Sequence, residues 1–217
     1  MIDILTMRRK FILFDFDGVI ADSFDLAYEV SRIKCPHLSR DDYRRRFDGN
    51  INETETLLTH TTTCRLDIDF ATEYAKKVQS VRPFHGMPEI IEALAREHTL
   101  IVISSTTTDV IWMLLDTYGL SSCFAQVMGN DLHKSKVKKI RMVFDTYGSD
   151  IADYVFVTDS LGDIREAREA GLDAIAVTWG FHNRETLLRG KPFRLLDQPK
   201  DLHEAVVEYF RKNTVTA

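Results

Sequence analysis

Cysteine is scarce: among 217 residues there are three, Cys35, Cys64 and Cys123, far apart and without a CxxC spacing. The sequence therefore suggests neither a disulfide framework nor a zinc site, and a reducing cytoplasm fits best. Long apolar runs are also missing. The stretch from Phe11 to Ile20 follows a few basic residues, but Asp15 and Asp17 interrupt it. It cannot serve as a signal-peptide core, and nothing is long enough to span a bilayer. Surplus positive charge is lacking too, because the net charge is -5. No overall field draws the chain to nucleic acid or an anionic membrane, so an anionic ligand must be held by local donors. The seven histidines form no HExxH pattern.

What remains is the composition of an ordinary globular protein, 44% hydrophobic and 28% charged, enough for one sizeable core and a smaller second one. Phe11-Ile12-Leu13-Phe14 is an unbroken apolar run ending in acidic residues and Gly18. That pattern predicts a buried parallel strand with a polar loop at its carboxyl end. It recurs at Leu100 to Ile103 before Ser104, Tyr154 to Val157 before Thr158-Asp159, and Ala174 to Val177 before Thr178, and more weakly at Phe124 to Met128. Helical periodicity covers Pro88 to Glu97, Val110 to Tyr118, Val137 to Tyr147 and Leu161 to Ala170. Alternating strands and helices give an α/β fold, a Rossmann-like parallel sheet whose ligands bind at the carboxyl ends of the strands.

One interval is too long. From Asp17 to Ser104 is 87 positions, whereas a strand, crossover helix and strand need only about 30 residues. The excess, residues 21–82, carries helical patterns at Phe24 to Ile33, Asp41 to Phe47 and Phe70 to Val81, and closes at the cluster Pro83-Phe84-His85-Gly86-Met87-Pro88. The expected organisation is a core of residues 1–20 and 83–217 carrying a small helical cap of residues 21–82 on two linkers. The threonine run at 61–63 is too short to count as low complexity.

Asp15 and Asp17 share one side of an extended chain. Two ionised carboxylates about 4 Å apart repel by roughly 4 kcal/mol at an effective dielectric of about 20, which a divalent cation or a shared proton offsets. By itself Asp-x-Asp equally suits two solvated acids in a turn. The longer string Asp15-Phe16-Asp17-Gly18-Val19-Ile20-Ala21-Asp22-Ser23 is more specific: it resembles the first motif of the haloacid dehalogenase-like phosphatases, and three further motifs follow in order.

The resemblance implies a nucleophile at Asp15 and a general acid and base at Asp17. It implies a phosphate-binding serine at Ser104, assisted by the amides of Ser105 and Thr106 if a helix starts there; an ordinary N-cap is the plainer reading. The family lysine falls in His133-Lys134-Ser135-Lys136-Val137-Lys138-Lys139, and Lys134, just ahead of the helix beginning at Val137, is the preferred candidate over Lys136. The usual Lys-Pro is missing. Asp159 would bind Mg²⁺ with the Asp15 carboxylate and the Asp17 main-chain carbonyl, with Asp163 behind them. Ser160-x-x-Asp163 also reads as a helix cap. Thr158 stands where the family usually has glycine, a source of strain if that backbone requires positive φ. In the cap, Arg46, Asp48, Gly49 and Asn50 occupy the neighbourhood of a substrate-specificity loop, although a basic helix ending at Gly49 explains them equally. Trp179 and Gly180 resemble the phosphoglycolate phosphatase-like branch, with Trp179 read as a packing residue; His182 is read as a surface or capping residue.

The implied activity is hydrolysis of a small-molecule phosphate monoester, without nucleic-acid or membrane partners and with the oligomeric state open. A phosphomutase and a catalytically silent binding protein are the alternatives. Asp17 argues against carbon–halogen cleavage, which needs no acid for a leaving alcohol.

Overall fold

The computed structural model describes residues 10–51, 67–148 and 150–214; Cys64, the threonines at 61–63 and the basic start of the chain lie outside them. Six parallel strands form one sheet: β1 (Phe11–Phe14), β2 (Thr99–Ile103), β3 (Phe124–Met128), β4 (Tyr154–Thr158), β5 (Ala174–Val177) and β6 (Arg194–Leu196), ordered β3-β2-β1-β4-β5-β6. The helices are α1 (Phe24–Lys34), α2 (Arg40–Arg45), α3 (Phe70–Lys77), α4 (Met87–Glu97), α5 (Thr108–Thr117), α6 (Lys136–Tyr147), α7 (Leu161–Glu169), α8 (Arg184–Leu188) and α9 (Leu202–Thr214).

Alternation along each strand divides the core in two. Ile12, Phe14, Val102, Val155, Val157, Ile175 and Val177 belong to a cluster with Ile91 and Leu94 of α4, Ile111 and Leu114 of α5, and Leu202 and Val206 of α9. Leu13, Ile101, Ile103, Phe156, Ala174 and Ala176 instead join Ile140 and Val143 of α6 and Ile164 and Ala167 of α7. A strand buried on both faces reads as a continuous apolar run, which is why β1, β2, β4 and β5 were legible.

The excess segment is helical in its described residues, α1 to α3 with short 3₁₀ turns at Arg46–Asp48 and Val78–Ser80. Phe24, Ala27, Val30, Tyr43, Tyr74 and Val78 are continuous with the first sheet cluster. The two linkers run side by side, Asp22 N–H donating to Arg82 O and Phe84 N–H to Ile20 O, both at 2.9 Å. One expectation is corrected: the cysteine spacing suggested no disulfide, yet Cys35 is disulfide-bonded, while Cys123 is a free thiol. No helix among the described residues is long and apolar enough to cross a membrane.

Candidate active site

Strand register sets the site. Phe14 is level with Val102 of β2 and Val157 of β4, so the chain leaves the sheet at three adjacent strand tips, bringing Asp15, Ser104 and Asp159 to one cavity. Asp15 N–H donates to Val157 O at 2.9 Å, and the Asp15 carboxylate accepts from Phe16 N–H at 2.7 Å. Asp163 arrives on the first turn of α7, whose N-cap Ser160 accepts from Asp163 N–H at 3.2 Å; the capping reading of that motif is correct. Ligand atoms of Asp15, Asp159 and Asp163 lie within 4.8 Å of one another, and all three residues are buried.

The cation facing them is Lys136. Its Nζ lies 2.8 Å from Asp15 Oδ2 and 2.7 Å from Asp163 Oδ2. This replaces the expectation of Lys134, which is exposed and does not line the cavity. The helix starts one residue earlier than its apolar periodicity suggested, because Ser135 is the N-cap and accepts from Lys138 N–H. Lys136 thus occupies the first helical position. Glu166 of α7 fixes that turn by accepting from Lys136 N–H at 3.0 Å.

Three buried carboxylates against one ammonium leave an excess of two negative charges when all are ionised. Burial pushes the Asp15 carboxyl well above the usual range, against the pull of Lys136, and pushes Asp159 up to about 7. For Asp163 burial is overcome by Lys136 and by hydrogen bonds from Asp15 and Thr158, which hold it below the usual range. Asp15 and Asp163 therefore titrate together, as a pair, rather than as two independent carboxyls. A hard divalent cation would remove the excess charge, and an all-oxygen donor set suits one. Space is reserved for the Asp159 carboxylate: a Cβ on Gly18, whose φ is +77°, would lie 1.9 Å from Asp159 Oδ2, and one on Gly180 would lie 2.3 Å away. Thr158 carries none of the strain anticipated for it, since Lys191 is the one described non-glycine residue with positive φ. Its hydroxyl donates to Asp163 at 2.8 Å.

The Asp17 carboxylate stands outside the acidic cluster. It accepts from Thr106 Oγ1 at 2.7 Å and from the Tyr74 hydroxyl of α3 at 3.1 Å. Tyr74 carries no motif, and nothing in the sequence marked it. Burial and the neighbouring Asp17 raise its hydroxyl above the ordinary phenol range. Ser104 and Ser105 line the cavity as expected, but α5 starts only at Thr108, and Thr106 N–H is turned to Ser104 Oγ at 3.0 Å. Beneath them the fully buried Lys139 donates to Ser104 O and to Gly129 O, pinning two loops. Burial and the nearby Lys136 pull its amine down to about 8.

Of the four candidates in the helical segment, Gly49 alone lines the cavity. Asn50 donates to Glu166 at 3.1 Å. Asp48 faces His182 and Arg189 at 3.6 and 3.5 Å, and its carbonyl accepts from Arg165 at 2.6 Å. Arg46 is buried, 5.7 Å from the Tyr43 ring. The turn at Arg46–Asp48 brings Asp48 and Asn50 against α7 and the end of α8, where Gly49 and Gly162 meet backbone to backbone: a Cβ on Gly162 would lie 2.3 Å from Gly49 O. His182 is buried and accepts from Leu161 N–H at 3.0 Å, capping α7. Trp179 packs against the core and donates to Val19 O at 3.2 Å.

Residues 12–177 match the family model described as haloacid dehalogenase-like hydrolase. The phosphoglycolate phosphatase of Synechococcus elongatus is 28% identical over 209 residues, spanning 93% of this chain and 99% of its own. Among solved structures, a haloacid dehalogenase-like family hydrolase from Streptococcus pneumoniae superposes with TM-score 0.72 at 19% identity, covering 93% of this chain and 98% of that one. CbbY from Rhodobacter sphaeroides, crystallised with phosphate, superposes with TM-score 0.73 at 20% identity over 90% of this chain and 96% of that one. At such identities these superpositions speak to the fold.

Proposed function

Because the chain belongs to the haloacid dehalogenase-like hydrolase family, we propose that it is a Mg²⁺-dependent phosphatase acting on a small phosphate monoester through an aspartyl-phosphate on Asp15. The observation that carries this reading is the amine of Lys136 bridging Asp15 and Asp163, with Asp159 beside them, at the mouth of strands that also deliver Ser104.

Asp15 attacks phosphorus while Asp17, aimed by Thr106 and Tyr74, gives a proton to the departing alcohol oxygen. In the second step Asp17 takes a proton from the water that opens the aspartyl-phosphate. Lys136 balances charge on the phosphoryl oxygens and on the nucleophile, and Ser104 orients the phosphoryl group. Mg²⁺, held by Asp15, Asp159 and the Asp17 carbonyl with Asp163 behind them, would supply further charge neutralisation when bound. The helical segment acts as a cap that excludes bulk water, its paired linkers forming the hinge.

The test is release of phosphate from p-nitrophenyl phosphate by the pure protein with Mg²⁺ and with EDTA. Turnover in Mg²⁺ that EDTA abolishes is the expected result; a folded protein inactive on every ester tried favours the silent binding role.

Metal binding should also depend on pH in a definite direction. Asp159, with its carboxyl at about 7 in the metal-free fold, keeps its proton at pH 5.5 and must lose it to bind a cation. Raised carboxyl values also mean that the metal-free fold loses stability as pH climbs from the ordinary carboxylate range through about 7. Mg²⁺ at about a hundred times its pH 8 dissociation constant should add ~2.7 kcal/mol, or roughly 5–10 °C in Tm. At pH 5.5 one displaced proton should weaken binding about thirtyfold and reduce the shift to roughly a third or less. Equal shifts at both pH values, read by thermal melts, would remove Asp159 from the ligand set.

A further inference from the structure

Helix α6 carries two buried lysines one turn apart. Lys136 faces the carboxylates. Lys139, fully buried, faces the sheet, and burying an ammonium is costly unless partners offset it. Its partners are two main-chain carbonyls, Ser104 O and Gly129 O, the second at 3.4 Å. Ser104 follows β2 and Gly129 follows β3, neighbouring strands of the sheet. Burial and Lys136 oppose the charge on Lys139, whereas Asp15, Asp163 and Glu166 favour it; with the amine at about 8, the group is charged at pH 7.

What Lys139 holds is the direction of a peptide bond. Ser104 N–H donates to Met128 O at 3.1 Å, toward β3. Lys139 meets the Ser104 carbonyl on that same side, since it also holds Gly129 O at the end of β3. A trans peptide sets its N–H opposite to its C=O, and no described peptide is cis. The Ser105 N–H is thereby turned away from β3. On that other side of β2 runs β1, whose tip carries Asp15; Ser105 and Asp15 line the cavity, and Lys139 lies beneath it. The adjoining peptide follows the same rule: Gly129 O goes to Lys139, and Asn130 N–H goes the other way, to Thr106 O at 2.9 Å. Thr106 in turn donates to Asp17. One ammonium under the cavity floor thus sets two peptides whose far ends serve the site.

Resting on the phosphatase reading, we infer that Lys139 is a positioning residue of the reaction: it aims the Ser105 N–H at the phosphoryl group taken up beside Asp15, and its charge on the carbonyl end of that peptide strengthens the amide as a donor. Hydrogen bonds in series polarise one another, more strongly away from water. A donor already aimed where negative charge collects needs no reorganisation when the anion arrives. Lys136 acts on the anion directly; Lys139 acts through a peptide.

Lys139→Met nearly conserves side-chain volume and removes the ammonium. Calorimetric titration with orthovanadate in the presence of Mg²⁺ reads the anion site without turnover. Partial unfolding of the variant lowers the stoichiometry, whereas a misaimed donor raises the dissociation constant. The expected result is a dissociation constant raised about tenfold or more and kcat/KM on p-nitrophenyl phosphate lowered by about 10- to 100-fold, somewhat less than outright loss of one such donor. Lys138→Met, at an exposed position of the same helix, should match the wild type in both. A second readout needs no variant: in isotope-labelled wild type, the Ser105 amide proton resonance should move downfield when orthovanadate and Mg²⁺ are added. If the wild type hydrolyses the ester but Lys139→Met binds orthovanadate equally well, or the Ser105 resonance stays in place, the positioning role is overturned and the phosphatase reading stands. If the wild type hydrolyses no ester, yet the Ser105 resonance moves and Lys139→Met loses the anion, the hydrolytic reading fails and the positioning of the anion site by Lys139 stands. If the wild type neither hydrolyses an ester nor binds orthovanadate, both fall.

Discussion

Lys136→Met should lower kcat/KM by about a thousandfold and destabilise the protein more at pH 8 than at pH 5.5. The activity loss follows from removing the charge that faces both the nucleophile and the transferring phosphoryl group, a loss typically worth about 10²–10³ for one well-placed donor. The stability loss follows from what stays behind. Removing one partner of a buried ion pair commonly costs about 3–5 kcal/mol because the other charge is left uncompensated, and here two carboxylates, Asp15 and Asp163, lose the same ammonium. At pH 5.5 they can take up protons, whereas at pH 8 ionisation of Asp159, whose carboxyl sits at about 7, adds further repulsion. Urea unfolding at the two pH values measures the difference. Lys134→Met, at an exposed loop position, should stay within about twofold of wild-type kcat/KM; if that variant loses activity and Lys136→Met does not, the assignment of the lysine is wrong.

Asp15→Asn should abolish turnover, by a factor on the order of 10⁴–10⁶, while leaving the metal-free fold at least as stable as the wild type at pH 8. An amide cannot attack phosphorus. It also relieves a crowded acidic cluster, because burial and the neighbouring Asp163 and Asp159 oppose ionisation of Asp15. The two signatures together separate loss of chemistry from loss of structure: a thermal melt in EDTA should not fall, and the stabilisation by Mg²⁺ should shrink. Wild-type phosphate release by this variant would remove Asp15 from the nucleophile role.

Much of this site could be read from the chain because buried parallel strands announce themselves as apolar runs, and the residues at their tips follow at fixed offsets. Asp15 and Asp159 follow such runs, whereas Asp163, on the first turn of α7, and the roles of all three came from the resemblance to the family motifs. The lysine was misjudged by one turn of reasoning. Apolar periodicity begins at Val137, but the helix begins where its first amides find an acceptor, and Ser135 with Glu166 puts that point at Lys136. The strain that Thr158 would carry if its backbone required positive φ does not arise, because the residue ends β4 in extended conformation and its hydroxyl serves Asp163. β6, α8 and α9 went unread: β6, three residues with one buried, is too short to show a period, whereas α9 does carry a helical spacing in Leu202, Ala205, Val206, Tyr209 and Phe210. Tyr74 could not be located, since which face of a helix in the inserted segment meets the sheet depends on the linkers and on Gly49 meeting Gly162, a contact with no local signature.

Glu166 gives the arrangement a further property. A single oxygen, Oε1, receives both the side-chain amide of Asn50 and the main-chain amide of Lys136. Were the helical segment to lift as the proposed cap, that oxygen would give up Asn50 while keeping the amides of Lys136 and Val137 and the Ser135 hydroxyl. The helical segment and the turn that carries Lys136 thereby share one acceptor, so a change on either side is felt by the other.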